Sequence, residues 1–135
     1  MDGTLAAKQK ASIVVTQGDY QRLYGLANAA RLRQPDVAEE LAGELDRAGV
    51  VADGEIAPDV VRMSSTVEYR TEAGASRTVT LVFPGEADIA QNKVSILTPI
   101  GTALLGLCPG QSLDWLGRDG RRHRLTILSV RQPAG

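Results

Sequence analysis

The chain has 135 residues and a net charge of −1, with 43% hydrophobic and 23% charged residues. This length suits one main core with a small appendage, and the composition excludes wholesale disorder. A charge so close to zero excludes a strong electrostatic grip on nucleic acid by the whole chain. One cysteine excludes an internal disulfide, and no apolar run reaches the roughly 20 residues that span a bilayer. We therefore expect a cytoplasmic protein without a membrane contact.

The amino-terminal part is predicted to form an antiparallel helical hairpin over residues 12–49, after a short flexible leader at 1–11. Thr16 can cap the first helix, with Asp19 completing a weak capping box. This helix spans about 17 residues, or roughly 25 Å at 1.5 Å per residue. Pro35 suits the first position of a second helix, and Gly49 suits its end. The apolar stripes are Tyr20, Leu23, Ala27 and Ala30 in the first helix, and Val37, Leu41, Leu45 and Ala48 in the second.

The second part of the chain is predicted to be a sheet domain over residues 60–135, after a linker at 50–59. Thr98 can cap a short helix that has Pro99 at its first position and ends at Gly106. Turn residues separate short apolar segments that predict strands at 66–71, 77–83, 94–97, 112–116 and 122–130. The predicted class is α+β, with a helical hairpin followed by an antiparallel sheet that one short helix covers.

No group of residues in the sequence indicates catalysis. His123 is the only histidine and lies among arginines. Cys108 has no basic partner nearby, so we expect it to be a buried or semi-buried small hydrophobe. The glycines match neither a dinucleotide-binding nor a phosphate-binding motif. We therefore expect no enzyme activity, no catalytic residue, no cofactor and no metal site.

Two charged clusters each allow two interpretations. Carboxylates near the hairpin tip can hold Mg²⁺ in the active site of a partner, or they can complement a helix dipole on a solvated face, which we prefer. A basic cluster near the carboxyl end can bind RNA, or it can protect a solvated edge strand, which we also prefer. Direct contact with nucleic acid stays open. The acidic residues are Asp36, Glu39, Glu40 and Glu44, and the basic ones are Arg118, Arg121, Arg122 and Arg124.

Several motifs that occur in order give the sequence a family resemblance. Residues 94–107, VSILTPIGTALLGL, followed by residues 109–111, PGQ, and Asp114-Trp115, resemble the carboxy-terminal domain of the GreA/GreB transcript-cleavage factors. Residues 79–84, VTLVFP, and 62–67, RMSSTV, are similar to the Rnk-like members of that family. The amino-terminal hairpin matches the family in position and type alone.

The resemblance implies an FKBP-like domain behind a coiled coil. In Gre factors this domain docks at the rim of the secondary channel of RNA polymerase, and the long coiled coil carries acidic residues to the active site. The short hairpin here resembles that of Rnk-like proteins, which are not expected to stimulate cleavage, so Asp36, Glu39 and Glu40 would stop short of the catalytic Mg²⁺. Gre factors contact the polymerase through an Asp-Ser-Pro pattern, and the corresponding positions here are Leu97, Thr98 and Pro99, with Leu97 departing from the acidic residue.

The resemblance therefore implies a regulator that binds RNA polymerase near the secondary channel and competes with Gre-type factors. Two alternatives stay open at this point. One is a factor that stimulates transcript cleavage through the acidic hairpin tip. The other is an RNA-binding module that uses the basic hairpin near the carboxyl end.

Overall fold

The computed structural model of the protein describes residues 13–116 and 119–133. The predicted leader at 1–11 and Arg118 of the basic cluster lie outside these residues. No helix in the described ranges is long and apolar enough to cross a membrane. The helices are α1 (Gln17–Ala30), α2 (Pro35–Arg47) and α3 (Pro99–Leu104). The strands are β1 (Val14–Thr16), β2 (Gly49–Val51), β3 (Thr66–Thr71), β4 (Ser76–Val82), β5 (Lys93–Ser95), β6 (Ser112–Leu116) and β7 (Arg122–Arg131).

The two predicted helices form the hairpin, and their starting residues are those that the sequence indicates. Thr16 caps α1, because its Oγ1 accepts a hydrogen bond from the Asp19 N–H at 3.2 Å. Pro35 occupies the first turn of α2. Residues 31–33 form a turn rather than a last helical turn, so α1 has 14 residues and is about 21 Å long, shorter than predicted.

A two-stranded parallel sheet, which the sequence pattern did not predict, flanks the hairpin. β1 precedes α1 and pairs with β2, which follows α2, with Val14 opposite Gly49 and Thr16 opposite Val51. Residues 50 and 51, predicted as the start of the linker, therefore lie in a strand. Just after β2, the Asp53 carboxylate accepts a hydrogen bond from the Gly18 N–H at 3.1 Å. The segment after the hairpin is thereby tied to the amino-terminal end of α1.

The second part of the chain is a five-stranded sheet in the order β5-β4-β3-β7-β6. The prediction of a wholly antiparallel sheet is wrong at one edge, because β5 runs parallel to β4. Two 3₁₀ turns, Pro84–Glu86 and Ile89–Gln91, occupy the connection between these strands. β7 lies between β3 and β6, but Arg122 and Arg124 of the basic cluster pair only with β6, because the pairing of β7 with β3 begins at Leu125. The predicted α+β class is confirmed.

One hydrophobic core joins the hairpin to the sheet domain. The buried face of α2 is wider than the predicted stripe, because α2 packs against both α1 and α3. Glu44 is 7% exposed, so the prediction that it lies on a solvated face is wrong. The hairpin contributes Ile13, Leu23, Ala27, Leu41 and Leu45 to this core, and the sheet domain contributes Val67, Leu81, Ile96, Leu104, Leu105 and Ile127 among others.

The two parts approach each other very closely at Gly106, two residues after the last residue of α3. Its backbone has φ +84°, and a Cβ there would overlap the Cβ and Cγ2 of Ile13. The Gly106 N–H donates to the Val61 carbonyl at 2.9 Å, and the Val61 N–H donates to the Leu107 carbonyl at 2.9 Å. Only glycine satisfies both the backbone angle and the space, so Gly106 sets how closely the hairpin packs on the domain.

Gly106→Ala is expected to lower the free energy of unfolding by about 2–5 kcal/mol, from backbone strain plus overpacking against Ile13. Gly110→Ala is the matched control, because Gly110 has φ +90° but, apart from its own chain neighbours, no residue lies within 4 Å of the place that an alanine methyl group would occupy. The control is expected to lose about 1–2 kcal/mol. Urea unfolding of both variants measures the difference, and equal losses would contradict the packing role of Gly106.

Candidate functional site

The structure brings the hairpin turn next to the predicted contact residues at the start of α3. The Gln34 side-chain amide, in the hairpin turn, donates to the Leu97 carbonyl at 3.4 Å. This bond brings the segment between α1 and α2 beside the segment that starts α3. We call these two segments, residues 31–36 and 97–99, the tip region.

Thr98 organises the start of α3 with its hydroxyl group. Its Oγ1 accepts from the Gly101 N–H at 3.0 Å and donates to the Ser95 carbonyl at 2.7 Å. The hydroxyl group is therefore both a hydrogen-bond acceptor and a hydrogen-bond donor within the fold. Thr98 and Pro99 are both half-buried, so part of each side chain stays accessible at the surface.

Leu97 differs from its two neighbours because its side chain lies in the core, with 8% exposure. Its N–H donates to the Ser95 Oγ at 3.0 Å, and its carbonyl is the group that Gln34 contacts. The Leu97 side chain is thus a buried anchor for the tip region. The polymerase contact at Leu97 stays a prediction, and because the side chain is buried, such a contact would involve the backbone of Leu97.

Two residues outside the predicted contact positions, Gly101 and Thr102, hold α3 against the end of β5. A Cβ at Gly101 would overlap the Ser95 carbonyl oxygen and lie 2.9 Å from the Ile96 Cα. The buried Thr102 hydroxyl donates to the Ile96 carbonyl at 2.8 Å. The helix can lie this close to the strand because Gly101 has no side chain. In the sequence, the glycine inside the predicted helix is the feature that could have indicated this close contact.

The predicted acidic candidates lie on the exposed side of α2. Asp36, Glu39 and Glu40 are all exposed, and their spacing of three and four residues places them on one helix face. Asp36 is in the first turn, where the helix dipole favours a negative charge. Within the described ranges, no group of three or more His, Cys, Asp or Glu side chains has a geometry that could hold a metal ion.

The turn that closes the hairpin carries a different kind of residue. Arg31, Leu32 and Arg33 are all exposed, and Leu32 is 96% exposed. The Arg31 Nε donates to the Asn28 side-chain oxygen at 3.2 Å. The predicted acidic residues follow on α2, whereas the turn itself contains two arginines and a leucine. No local pattern signals this outcome, because Leu32 also fits the helical spacing of α1.

Polar contacts also fix the hairpin to the sheet domain. The Met63 N–H donates to the Asp19 Oδ2 at 3.4 Å, and the Arg22 guanidinium lies 4.0 Å from the ring centre of Phe83. Burial raises the pKa of the Asp19 carboxyl above its ordinary value of 3.8, and the Met63 N–H and nearby arginines oppose this rise. Asp19 is therefore a partly desolvated carboxylate at the joint between the two parts.

Gln132, after the last strand, fastens the segment that enters the sheet domain. Its side-chain oxygen accepts from the Ser65 hydroxyl at 2.6 Å and from the Arg62 Nε at 3.0 Å. Its amide nitrogen donates to the carbonyls of Pro58 and Val60, both at 2.9 Å. One side chain thus holds both ends of this segment in place, and the start of the sheet domain has a fixed path.

The basic cluster is partly balanced by carboxylates. Arg121, Arg122 and Arg124 are exposed, and the Arg124 guanidinium lies 3.5 Å from the Asp114 carboxylate. The His123 Nε2 lies 3.2 Å from both Asp119 oxygens. The Arg121 N–H, and then His123, hold the pKa of Asp119 below its usual range. These pairings reduce the positive charge that the cluster offers to a polyanion.

Cys108 has the properties of a structural cysteine. The residue is half-buried, and its N–H donates to the Gln111 side-chain oxygen at 2.7 Å. Burial, together with the nearby Asp59 carboxylate, raises the pKa of the Cys108 thiol. A thiol with a raised pKa carries little thiolate at neutral pH, so this side chain is a poor nucleophile.

The fold consists of an amino-terminal helical hairpin followed by a mostly antiparallel sheet that packs on one short helix. This arrangement agrees with the class of elongation-factor domains that the sequence motifs resemble. Residues 56–132 match the family described as "Transcription elongation factor, GreA/GreB, C-term", and residues 12–51 match "Rnk N-terminus". The chain is therefore a member of the GreA/GreB family, in its Rnk-like branch.

Known relatives support the same assignment. The chain is 32% identical to the "Regulator of nucleoside diphosphate kinase" of Escherichia coli, over 90% of each protein. It is 32% identical to a "Transcription elongation factor GreA" of Nitratidesulfovibrio vulgaris, over 84% of this chain and 72% of the relative. A solved GreA/GreB elongation factor from Nitrosomonas europaea is 39% identical and superposes with a TM-score of 0.74, over 90% of this chain and 99% of that one.

Asp19→Asn is expected to raise the stability of the protein near neutral pH. The folded state raises the pKa of Asp19, so wild-type stability falls as the pH rises through the interval above the ordinary carboxyl value. Asparagine keeps an oxygen that can accept from the Met63 N–H but carries no charge to desolvate.

The advantage of Asp19→Asn over wild type should therefore shrink as the pH falls below the usual carboxylate range. Urea unfolding of both proteins across this pH range measures it. A variant that is less stable than wild type by the same amount at every pH would contradict the desolvation at Asp19.

Proposed function

We propose that the protein is a transcription regulator that binds RNA polymerase near its secondary channel and competes there with Gre-type factors, without stimulating transcript cleavage. Membership of the GreA/GreB family supports the partner, because relatives across much of the chain are transcription elongation factors. Docking near the secondary channel and the lack of cleavage stimulation are proposed from the shape and charge of the hairpin.

The short hairpin is the observation that carries the proposal. Helices of 14 and 13 residues are about 21 Å and 20 Å long. The shared core holds them against the sheet domain, so their length is not free to extend from it. The GreA relative is longer, because the aligned part covers 84% of this chain but 72% of that protein. A hairpin that is both short and packed against its domain does not suit delivery of carboxylates to a distant active site.

The charge of the tip region supports the same conclusion. Cleavage stimulation needs carboxylates that directly approach a metal ion, because Mg²⁺ is bound at close range by oxygen ligands. Here Arg31 and Arg33 stand in the turn, whereas Asp36 and Glu39 lie behind it on α2. Two guanidinium groups at the front of the hairpin would repel a divalent cation.

The sheet domain is proposed to supply most of the affinity, with residues 60–135 as the docking domain and residues 12–49 as the inserted hairpin. Thr98 and Pro99 offer partly exposed surface at the start of α3. Leu97 anchors this surface from within the core, and Gly101 keeps it close to the end of β5. The docking surface would then be rigid before it meets the polymerase, which limits the ordering that binding requires.

Purified protein is expected to bind core RNA polymerase with micromolar or tighter affinity, and a GreA-type factor is expected to displace it. Fluorescence anisotropy of the labelled protein, titrated with polymerase and then with the factor, measures both quantities. Binding without mutual exclusion would contradict docking near the secondary channel, and a lack of binding would remove the proposed partner.

Transcript cleavage by a stalled elongation complex is expected to proceed at its intrinsic rate in the presence of the protein. The double variant Asp36→Ala/Glu39→Ala should give the same rate, since both carboxylates lie behind the turn. Glu86→Ala, an exposed carboxylate in the 3₁₀ turn after β4, is the matched control. If the wild-type protein and Glu86→Ala stimulate cleavage and the double variant does not, the protein is a cleavage-stimulating factor instead.

A further inference from the structure

Leu32 is the most exposed large hydrophobic residue in the described part of the chain. Its exposure of 96% compares with 89% for Ile89 and with 36–45% for Val14, Tyr24 and Val50. It stands in the turn that closes the hairpin and contacts little of its own protein. An exposed leucine alone needs no explanation, but this one lies at the extremity of the element that the proposed function inserts into a partner.

The residues on either side of Leu32 are both arginines. Among the residues that the structure describes, no ion pair joins Arg31 or Arg33 to a carboxylate. Three carboxylates, Asp36, Glu39 and Glu40, follow on the exposed face of α2. The tip thus has an apolar centre, a positive front and a negative flank.

We propose that the hairpin turn is a docking plug whose Leu32 side chain enters an apolar pocket of a protein partner, while carboxylates at the pocket rim pair with Arg31 and Arg33. The inference rests on the proposed function, and it names the residues through which the hairpin contacts the polymerase. The pairing of a guanidinium with a carboxylate is directional, so it would fix the orientation of the turn as well as its position.

The charge pattern favours a protein pocket over a nucleic-acid strand. Residues 31–40 carry two arginines and three carboxylates, a balance of −1. A phosphate backbone that meets the arginines would also pass the carboxylates, which would repel it. A protein pocket can place acidic groups opposite Arg31 and Arg33 and leave Asp36 and Glu39 facing solvent or cationic groups.

Leu32→Ser is expected to weaken binding of the full-length protein to core RNA polymerase about tenfold or more, because a buried leucine side chain contributes on that order. Ile89→Ser is the matched control, since it removes a comparably exposed aliphatic side chain elsewhere, and it should change the affinity less than about threefold. Both positions are on the surface, so circular dichroism should show native folds.

The second arm tests the rim of the pocket. Arg31→Glu/Arg33→Glu should weaken binding about tenfold or more, with a larger effect at low salt, whereas Arg121→Glu/Arg122→Glu on the basic cluster should leave it nearly unchanged.

Wild-type binding with equal affinities for Leu32→Ser and Ile89→Ser would overturn the plug and leave the proposed function standing. Loss through the Arg31/Arg33 reversal with no effect of Leu32→Ser would also overturn it, in favour of a purely electrostatic contact such as one with nucleic acid. A wild-type protein that does not bind polymerase would overturn both proposals.

Discussion

The side chain of Ile13 packs directly against the backbone of Gly106, and this contact allows the hairpin and the sheet domain to share one core. Gly106 has a left-handed backbone and no room for a Cβ, so no other residue fits there without movement. The shared core places α2 between α1 and α3 and accounts for the wide buried face of α2. A helical hairpin this short would have little stability alone, because most helical stability in proteins comes from tertiary packing.

This packing determines what the tip region can do. The Asp19–Met63 hydrogen bond, the Arg22–Phe83 contact and the Gln34–Leu97 hydrogen bond lie along the joint from one end of the hairpin to the other. They hold the hairpin turn beside the start of α3, so the two segments lie next to each other. A partner that binds there would meet them together. The proposed function needs such a fixed arrangement rather than a long, separate coiled coil.

Elements with strong local signals could be predicted from the sequence. The bounds of β3 and β6 and the caps at Thr16 and Thr98 follow from alternation and from side chains that bond the nearest backbone groups. The short strands β1 and β2 could not be predicted, because three residues show no periodicity and their pairing depends on the hairpin between them. The coiled-coil and FKBP-like descriptions stay predictions.

The candidate site was less predictable, because exposure and burial there depend on tertiary contacts. Glu44 lies on a helix face that the sequence pattern indicates as solvated until α2 is placed in the shared core. Leu32 continues the helical spacing of α1, and its exposure results from the turn at residues 31–33. Leu97 shows the opposite outcome, since a residue aligned with a polymerase-contact motif is buried. Local sequence patterns therefore located the tip region but not which of its side chains face outwards.

The most direct test of the shared core is whether the two parts unfold together in urea. The far-ultraviolet circular dichroism signal reports mainly α1 and α2, which hold most of the α-helical residues that the structure describes. The fluorescence of the single tryptophan reports the sheet domain, because residue 115 belongs to β6. A shared core predicts coincident transitions with one midpoint. Loss of the helical signal at a lower urea concentration than the change in fluorescence would show that the hairpin unfolds independently, and it would contradict the account.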